Sequence, residues 1–582
     1  MQGNEEERAI RQICLKLTPP LLLSTPSRWR AVEDEDQLAN SAGISAKDRV
    51  IQNAKVATDW IEVEVPKQLE YLKKQLEGIE IANLSIELRT LIAITLTRFI
   101  SYRKSAFQPF SINVWTSSER NLFASPKNDE IARTIVRLHM SSEGNHTIPL
   151  DVIDVILQSY IRPLFSTTPS SRINETSGRT KQASKIQSAG AGPREDETIW
   201  KGGDLKRAKE MKCVGEEMLH TEEGSISLQS RHMGIGAESI LFACCESIEG
   251  ASIQDGDKWD RYWTQILPPL LQLLEDPSPR FRLAGTQILS ATLLAGYEDP
   301  KRRQKIGTLL LRTGVAELFR STLLSNLTFI SVQISGALLQ STAEAYVKLV
   351  RTTTEDLIAR HDRPQAYLVS DGGRARFEQF SQLIEDGVLR VWAYAPSTST
   401  LFEIGEIEQF QDRLGGSEYE DFDVIDASIH ILKQAAHSDN LGSGIMRYLD
   451  VTLEFLLQQL SGLEAKVERS IQKKLSDTKK ESFINLRRQI VAAEAILSIL
   501  QASSDCPLVE DWGAKCITTC AKCWYVCQIH VLKGAHLARL EELIHSLVQF
   551  FYQNYKASSD ETLQTISKLD PSAFNGFLNS HA

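Results

Sequence analysis

The chain has 582 residues, 42% of them apolar and 24% charged, with a formal net charge of −10. That length exceeds what one compact core usually holds, so several domains or a repeat array are expected. The acidic balance argues against a general nucleic-acid binder, and no apolar run reaches the roughly 20 residues that span a bilayer.

Apolar spacing then predicts the elements. Residues 6–23 place Ile10, Ile13, Cys14, Leu17 and Leu21 on one helical face. Residues 48–77 read as two helices divided near Pro66, and helical patterns follow over 84–106, 128–140 and 149–165. Nothing in this block alternates over enough length to demand a sheet. From Ser166 to Thr198 only Ile173 and Ile186 are large and apolar. Such a stretch cannot bury enough surface to offset chain ordering, so 166–204 is expected to be a disordered linker or loop.

Helical patterning resumes near 205 and is clear at 237–247. The most informative stretch is 259–294. Trp259, Tyr262, Trp263, Ile266, Leu267, Leu270, Leu273 and Leu274 form one helical face, and Phe281, Ala284, Ile288, Leu289 and Leu293 form a second. Between them, Asp276-Pro277-Ser278-Pro279 stops one helix and starts the next, because a proline pushes the residue before it out of the helical region. Pro268 and Pro269 lie inside the first helix and predict a kink. Further helical stretches are read at 303–325, 330–350, 375–395, 419–437, 444–465, 481–502, 511–532 and 535–556, after which periodicity is lost.

Successive pairs recur every 35 to 50 residues or so, the range of HEAT and armadillo arrays. The expected fold is all-α: an irregular HEAT- or armadillo-like α-solenoid of stacked antiparallel helix pairs with a disordered mid-chain insertion. Its expected parts are a helical block over 1–165, the linker 166–204, the main array 205–556 and a partly ordered tail over 557–582.

Candidate chemistry is sparse. The start MQGNEEERAIRQ lacks the basic and apolar pattern of a secretory signal, so the nine cysteines read as reduced thiols in the cytosol or nucleus. Cys516, Cys520, Cys523 and Cys527 share a helix face, yet the first and last lie about 16 Å apart along a helix. One straight helix therefore cannot offer all four to one zinc ion. The stripe reads as small-residue packing, with a zinc pair at Cys520 and Cys523 completed from elsewhere, or redox chemistry, as alternatives.

Gly234-Ile235-Gly236 lacks the rest of a dinucleotide site, and no GxxxxGK[ST], HExxH or GxSxG pattern occurs. No catalytic residue and no cofactor is expected. Ser417, in GSEYEDFD, has the acidic context of an acidophilic kinase site, or sits in a solvated loop. Lys301, Arg302, Arg303 and Lys305 suit an acidic partner or a polar inter-helix face. Trp263, Trp392 and Arg320 are candidate partner anchors, since Trp and Arg are frequent hot spots, with core packing as the alternative for both tryptophans.

The kinked helix, the Asp-Pro turn and a second helix bearing Arg282 resemble a HEAT repeat. That resemblance implies that Asp276, Pro277 and Arg282 build the turn and an Asp–Arg ladder between stacked repeats. More specifically, the region from about 237 to 395 is similar to the Tti-two family, the second Tel-two-interacting protein of the Triple T complex. The stretches that carry the similarity are WTQILPPLLQLLEDPSPRFRLAGTQILSATLL, LLRTGVAELFRSTLLSNLTFIS and GVLRVWAYA.

The resemblance implies a non-enzymatic scaffold, cytoplasmic and nuclear, that joins Tel-two and Tti-one homologues. With the heat-shock-ninety chaperone system and RuvB-like ATPases, such an assembly matures phosphatidylinositol-3-kinase-related kinases. No membrane or direct nucleic-acid contact is expected. Another HEAT or armadillo scaffold, such as a nuclear transport receptor or phosphatase scaffold, is the alternative.

Overall fold

A computed structural model describes residues 2–18, 59–100, 126–140, 148–165, 237–255, 258–276, 279–293, 300–328, 335–358, 371–394, 424–437, 440–461, 478–504, 506–529 and 535–569. It also describes the two-residue strands β1 (Ile173–Asn174) and β2 (Arg179–Thr180), an antiparallel pair within the stretch expected to be a linker. Everything else regular among the described residues is helical, so the protein is all-α. The described residues fall into two compact units, one drawn from Met1–Thr322 and one from Leu323–Leu401 with Phe422–Ala582.

The first unit begins with α1 (Gln2–Lys16), α2 (Val65–Leu76) and α3 (Ile86–Thr97). Pro66 does not divide two helices. A π-helical turn, Trp60–Glu64, runs straight into α2, and the Val65 amide donates to the Trp60 carbonyl. Pro66 has no amide hydrogen to continue this bonding, and the Ile61 carbonyl accepts instead from the Asn128 side-chain amide at 3.0 Å. In α3 almost every side chain from Leu88 to Phe99 is buried, because the helix is apolar all round. Its amino terminus is capped by Ser85, whose hydroxyl accepts from the Leu88 amide at 3.4 Å.

Next come α4 (Pro126–Ile135) with its π turn Val136–Met140, α5 (Leu150–Ile156), a π turn Leu157–Ile161 and α6 (Arg162–Phe165). Then follow α7 (Ala237–Asp255), α8 (Trp259–Leu274), α9 (Pro279–Ile288) with the π turn Leu289–Leu293, α10 (Pro300–Thr313) and α11 (Val315–Asn326), of which the residues from Leu323 on fall in the second unit. Near neighbours in the chain pack together: α1 on α2 and α3, α3 on α5, α7 on α8, and α8 on α9.

The region read as helical over 303–325 is two helices. Gly314 at φ 73° breaks it, a conformation that glycine adopts without the strain a Cβ would bring. Helix α8 runs on through Pro268 and Pro269. The hairpin of α8 and α9 closes at Gly285, where an added Cβ would stand 2.9 Å from the Leu273 Cβ and the Leu274 amide nitrogen.

One polar staple ties three elements of this unit. Glu249 on α7 accepts from the Trp259 indole at 2.7 Å and pairs with Arg302 of α10. This puts Arg302, part of the basic run at 301–305, on a polar inter-helix face.

The second unit holds α12 (Ser335–Ile358), α13 (Asp371–Ile384) with the π turn Glu385–Leu389, α14 (Arg390–Tyr394) and α15 (Val424–Ala436). A 3₁₀ segment, Gly442–Tyr448, leads into α16 (Leu449–Ser461). After it come α17 (Thr478–Ala502), α18 (Leu508–Ile529), α19 (Ala535–Asn554) and α20 (Lys556–Leu569). Again near neighbours pack: α12 on α13 and α15, α15 on α17, α16 on α17 and α18, and α18 on α19 and α20.

Glu494 of α17 binds Lys433 of α15 at 2.7 Å and Arg539 of α19 at 3.1 Å, joining three helices. Arg488 donates to the buried Asp426 at 2.9 Å, and burial pushes that carboxyl up to about 7.

Past 557 the chain is helical as far as Leu569, the last described residue. Ser559, Leu563 and Ile566 are buried where α20 packs on α18 and α19. Two apolar residues are too thin a stripe for periodicity to reveal.

Candidate protein-interaction surface

The turn residues read from the sequence sit as follows. Asp276 is fully buried, and its carbonyl accepts from the Arg282 guanidinium, which clamps the start of α9 onto the end of α8. Burial lowers the Arg282 pKa, opposed by the neighbouring Asp276 and Glu275. Pro277 lies outside the described residues. The observed bond is a clasp within one hairpin, through the backbone of Asp276.

The three candidate anchors separate. Trp263 is buried in the first unit and meets Phe319 edge to face, with ring centroids 6.4 Å apart. Arg320 is half-buried and held by Glu317 one turn back, at 2.6 Å. Trp392 is half-buried and stacks flat on Phe455 of α16, with centroids 3.9 Å apart and planes 9° from parallel. Its indole donates to the Ser428 hydroxyl at 2.8 Å. Ser417 lies outside the described residues.

Trp392 has exposed company. Tyr394, two residues on, is 73% exposed. On α16, Leu449, Leu453, Leu456 and Leu460 turn inward, which leaves Val451 and Phe455 one turn apart on the other side. Val451 is 57% exposed. On α18 the buried stripe is Val509, Gly513, Cys516 and Cys520, so Leu508 and Trp512 fall at its outer edge.

Trp512 donates to Asp450 of α16 at 3.0 Å, and the Lys515 ammonium lies 4.9 Å from its ring centre. Lys515 also pairs with Glu454, and that hydrogen bond holds the Glu454 carboxyl below the usual range. An apolar and aromatic strip therefore crosses α14, α16 and α18, bordered by fixed charges. Buried aromatic anchors inside a polar rim make up the usual anatomy of a protein interface.

Only Trp392 of this strip was singled out from the sequence. The missed residues carry a signal of one kind. Val451, Leu508 and Trp512 are apolar residues that fall off the buried stripe of an otherwise well-patterned helix.

The cysteines of α18 line its packed side: Cys516, Cys520 and Cys523 are buried, and burial pushes the Cys520 thiol up to about 12. The Cys527 side chain is outside the described set. Among the described residues, no three His, Cys, Asp or Glu converge as metal ligands, and no helix is long and apolar enough to cross a membrane.

Residues 111–464, more than half of the chain, match the model of the Tti2 family. The match takes in Trp392, Tyr394, Val451 and Phe455, and ends before α18. It reaches well beyond 237–395 on both sides. Neither curated proteins nor solved structures give a match.

Proposed function

The chain belongs to the Tti2 family, and on that premise we propose that it is a non-enzymatic adaptor subunit of a Triple T-type co-chaperone. In this reading it binds Tel-two and Tti-one homologues. Together with the heat-shock-ninety system and RuvB-like ATPases, the assembly supports folding and stability of phosphatidylinositol-3-kinase-related kinases in cytoplasm and nucleus. The observation that carries the reading is the family match over 111–464. What supports an adaptor role physically is the strip around Trp392, a surface suited to holding another protein.

The test is a tagged pull-down from native cells at moderate salt, with every co-purifying protein identified, followed by depletion. Tel-two and Tti-one homologues should be recovered, and the related kinases should fall in abundance on depletion. Import cargo or phosphatase subunits in their place would point to another helical scaffold.

Tyr394→Ala combined with Val451→Asp should reduce recovery of the partners about tenfold or more while thermal unfolding stays unchanged, because both side chains are exposed. Full recovery would move the interface elsewhere.

A further inference from the structure

The first unit bears a second surface, unrelated to the Trp392 strip. The π turn and α2 present a cleft of about 540 Å³ lined by Val63, Lys67, Glu70, Tyr71 and Lys74, with Lys127 of α4 reaching in from the side. Two features separate it from an ordinary solvated helix face. The first is apolar surface left in the open: Val63 is 60% exposed and Tyr71 49%.

The second is charge. Three lysines line the cleft against one glutamate, in a chain whose net charge is −10. Lys67 has Glu64 at a loose 3.9 Å, while Lys74 and Lys127 have no acidic partner among the described residues.

We propose that this cleft binds an acidic segment of a partner protein: an aspartate- and glutamate-rich peptide whose one aromatic or aliphatic side chain lies against Tyr71 and Val63. The ammonium groups sit on flexible stems and suit carboxylates spaced along a chain rather than a single rigid anion. Rim charges of this kind set encounter rate and partner choice, and the apolar contact holds the peptide in register. The inference stands on the cleft alone and does not need the family reading.

The test uses the full chain and a fluorescein-labelled peptide, Glu-Glu-Asp-Phe-Glu-Asp-Glu, followed by anisotropy. Binding should saturate and weaken as salt rises, because screening shortens to about 3 Å at 1 M. The triple variant Lys67→Glu, Lys74→Glu, Lys127→Glu should bind about tenfold more weakly or worse. Tyr71→Ala should lose several-fold in affinity, and a peptide with lysine at every acidic position should not bind.

Equal affinity in the triple variant overturns the proposal. So does a wild type that fails to bind while the variant Glu33→Gln, Asp34→Asn, Glu35→Gln, Asp36→Asn binds, since the occupant is then the chain's own acidic run at 33–36.

Discussion

His430 on α15 has Lys433 on its own helix and Glu494 of α17 beside it, with Arg539 of α19 on the far side of that carboxylate. Burial first, and Lys433 second, lower its pKa to about 4, against the opposing pull of Glu494. A free imidazole titrates near 6.5, so on acidification the unfolded chain takes up this proton first. Stability is therefore lost as pH falls from about 6.5 to about 4, by at most about 3 kcal/mol from this group. Thermal melts across that range should give a shallower acid loss for His430→Leu than for the wild type, and parallel curves would sink the assignment. Trp263 and Trp392 show what single residues hide. Both are tryptophans on apolar helical faces, and only the neighbours that cover them decide that one is core and the other a half-exposed stack.

At the scale of elements, the pair α8 and α9 is in close contact at Gly285, where a methyl group would meet both side chain and backbone of α8. Gly285→Ala should cost about 1–3 kcal/mol, despite the better helix propensity of alanine, and urea unfolding reads it directly. A stabilised variant would mean that the hairpin spreads freely. The hairpin itself was plain in the sequence, since turn residues and both apolar faces agreed. Boundaries were less legible. Gly314 split one helical pattern into α10 and α11 through its backbone freedom, while Pro66 failed to split another because a wide turn leads into it and Asn128 serves the carbonyl it leaves open. In both cases local backbone geometry overrode an apolar pattern that looked the same on either side.

For the whole molecule, two compact units, each with its own core and its own glutamate staple, predict two unfolding transitions. Glu249→Ala should lower one by about 2 kcal/mol, because it leaves the buried Trp259 indole without its acceptor. Glu494→Ala should lower the other by about 1 kcal/mol or less, because Lys433 and Arg539 are part-exposed and can turn to water. Calorimetry of the two variants tests this, and a single transition moved equally by both contradicts it. All-α character was legible throughout, since no stretch alternates. The division near residue 322 was not, because sequence texture marks the polar stretch at 166–204, whereas a unit boundary depends on which helices share a core.

Five π turns interrupt or extend the described helices: Trp60–Glu64, Val136–Met140, Leu157–Ile161, Leu289–Leu293 and Glu385–Leu389. Each wide turn takes in one residue more than an α turn while leaving the inward faces on either side aligned. Such turns are natural places for a length change. Losing one residue there tightens the coil and spares the core, whereas the same loss a turn away rotates every later side chain by about 100°. In this chain, room for a one-residue deletion thus lies inside the described helices as well as between them.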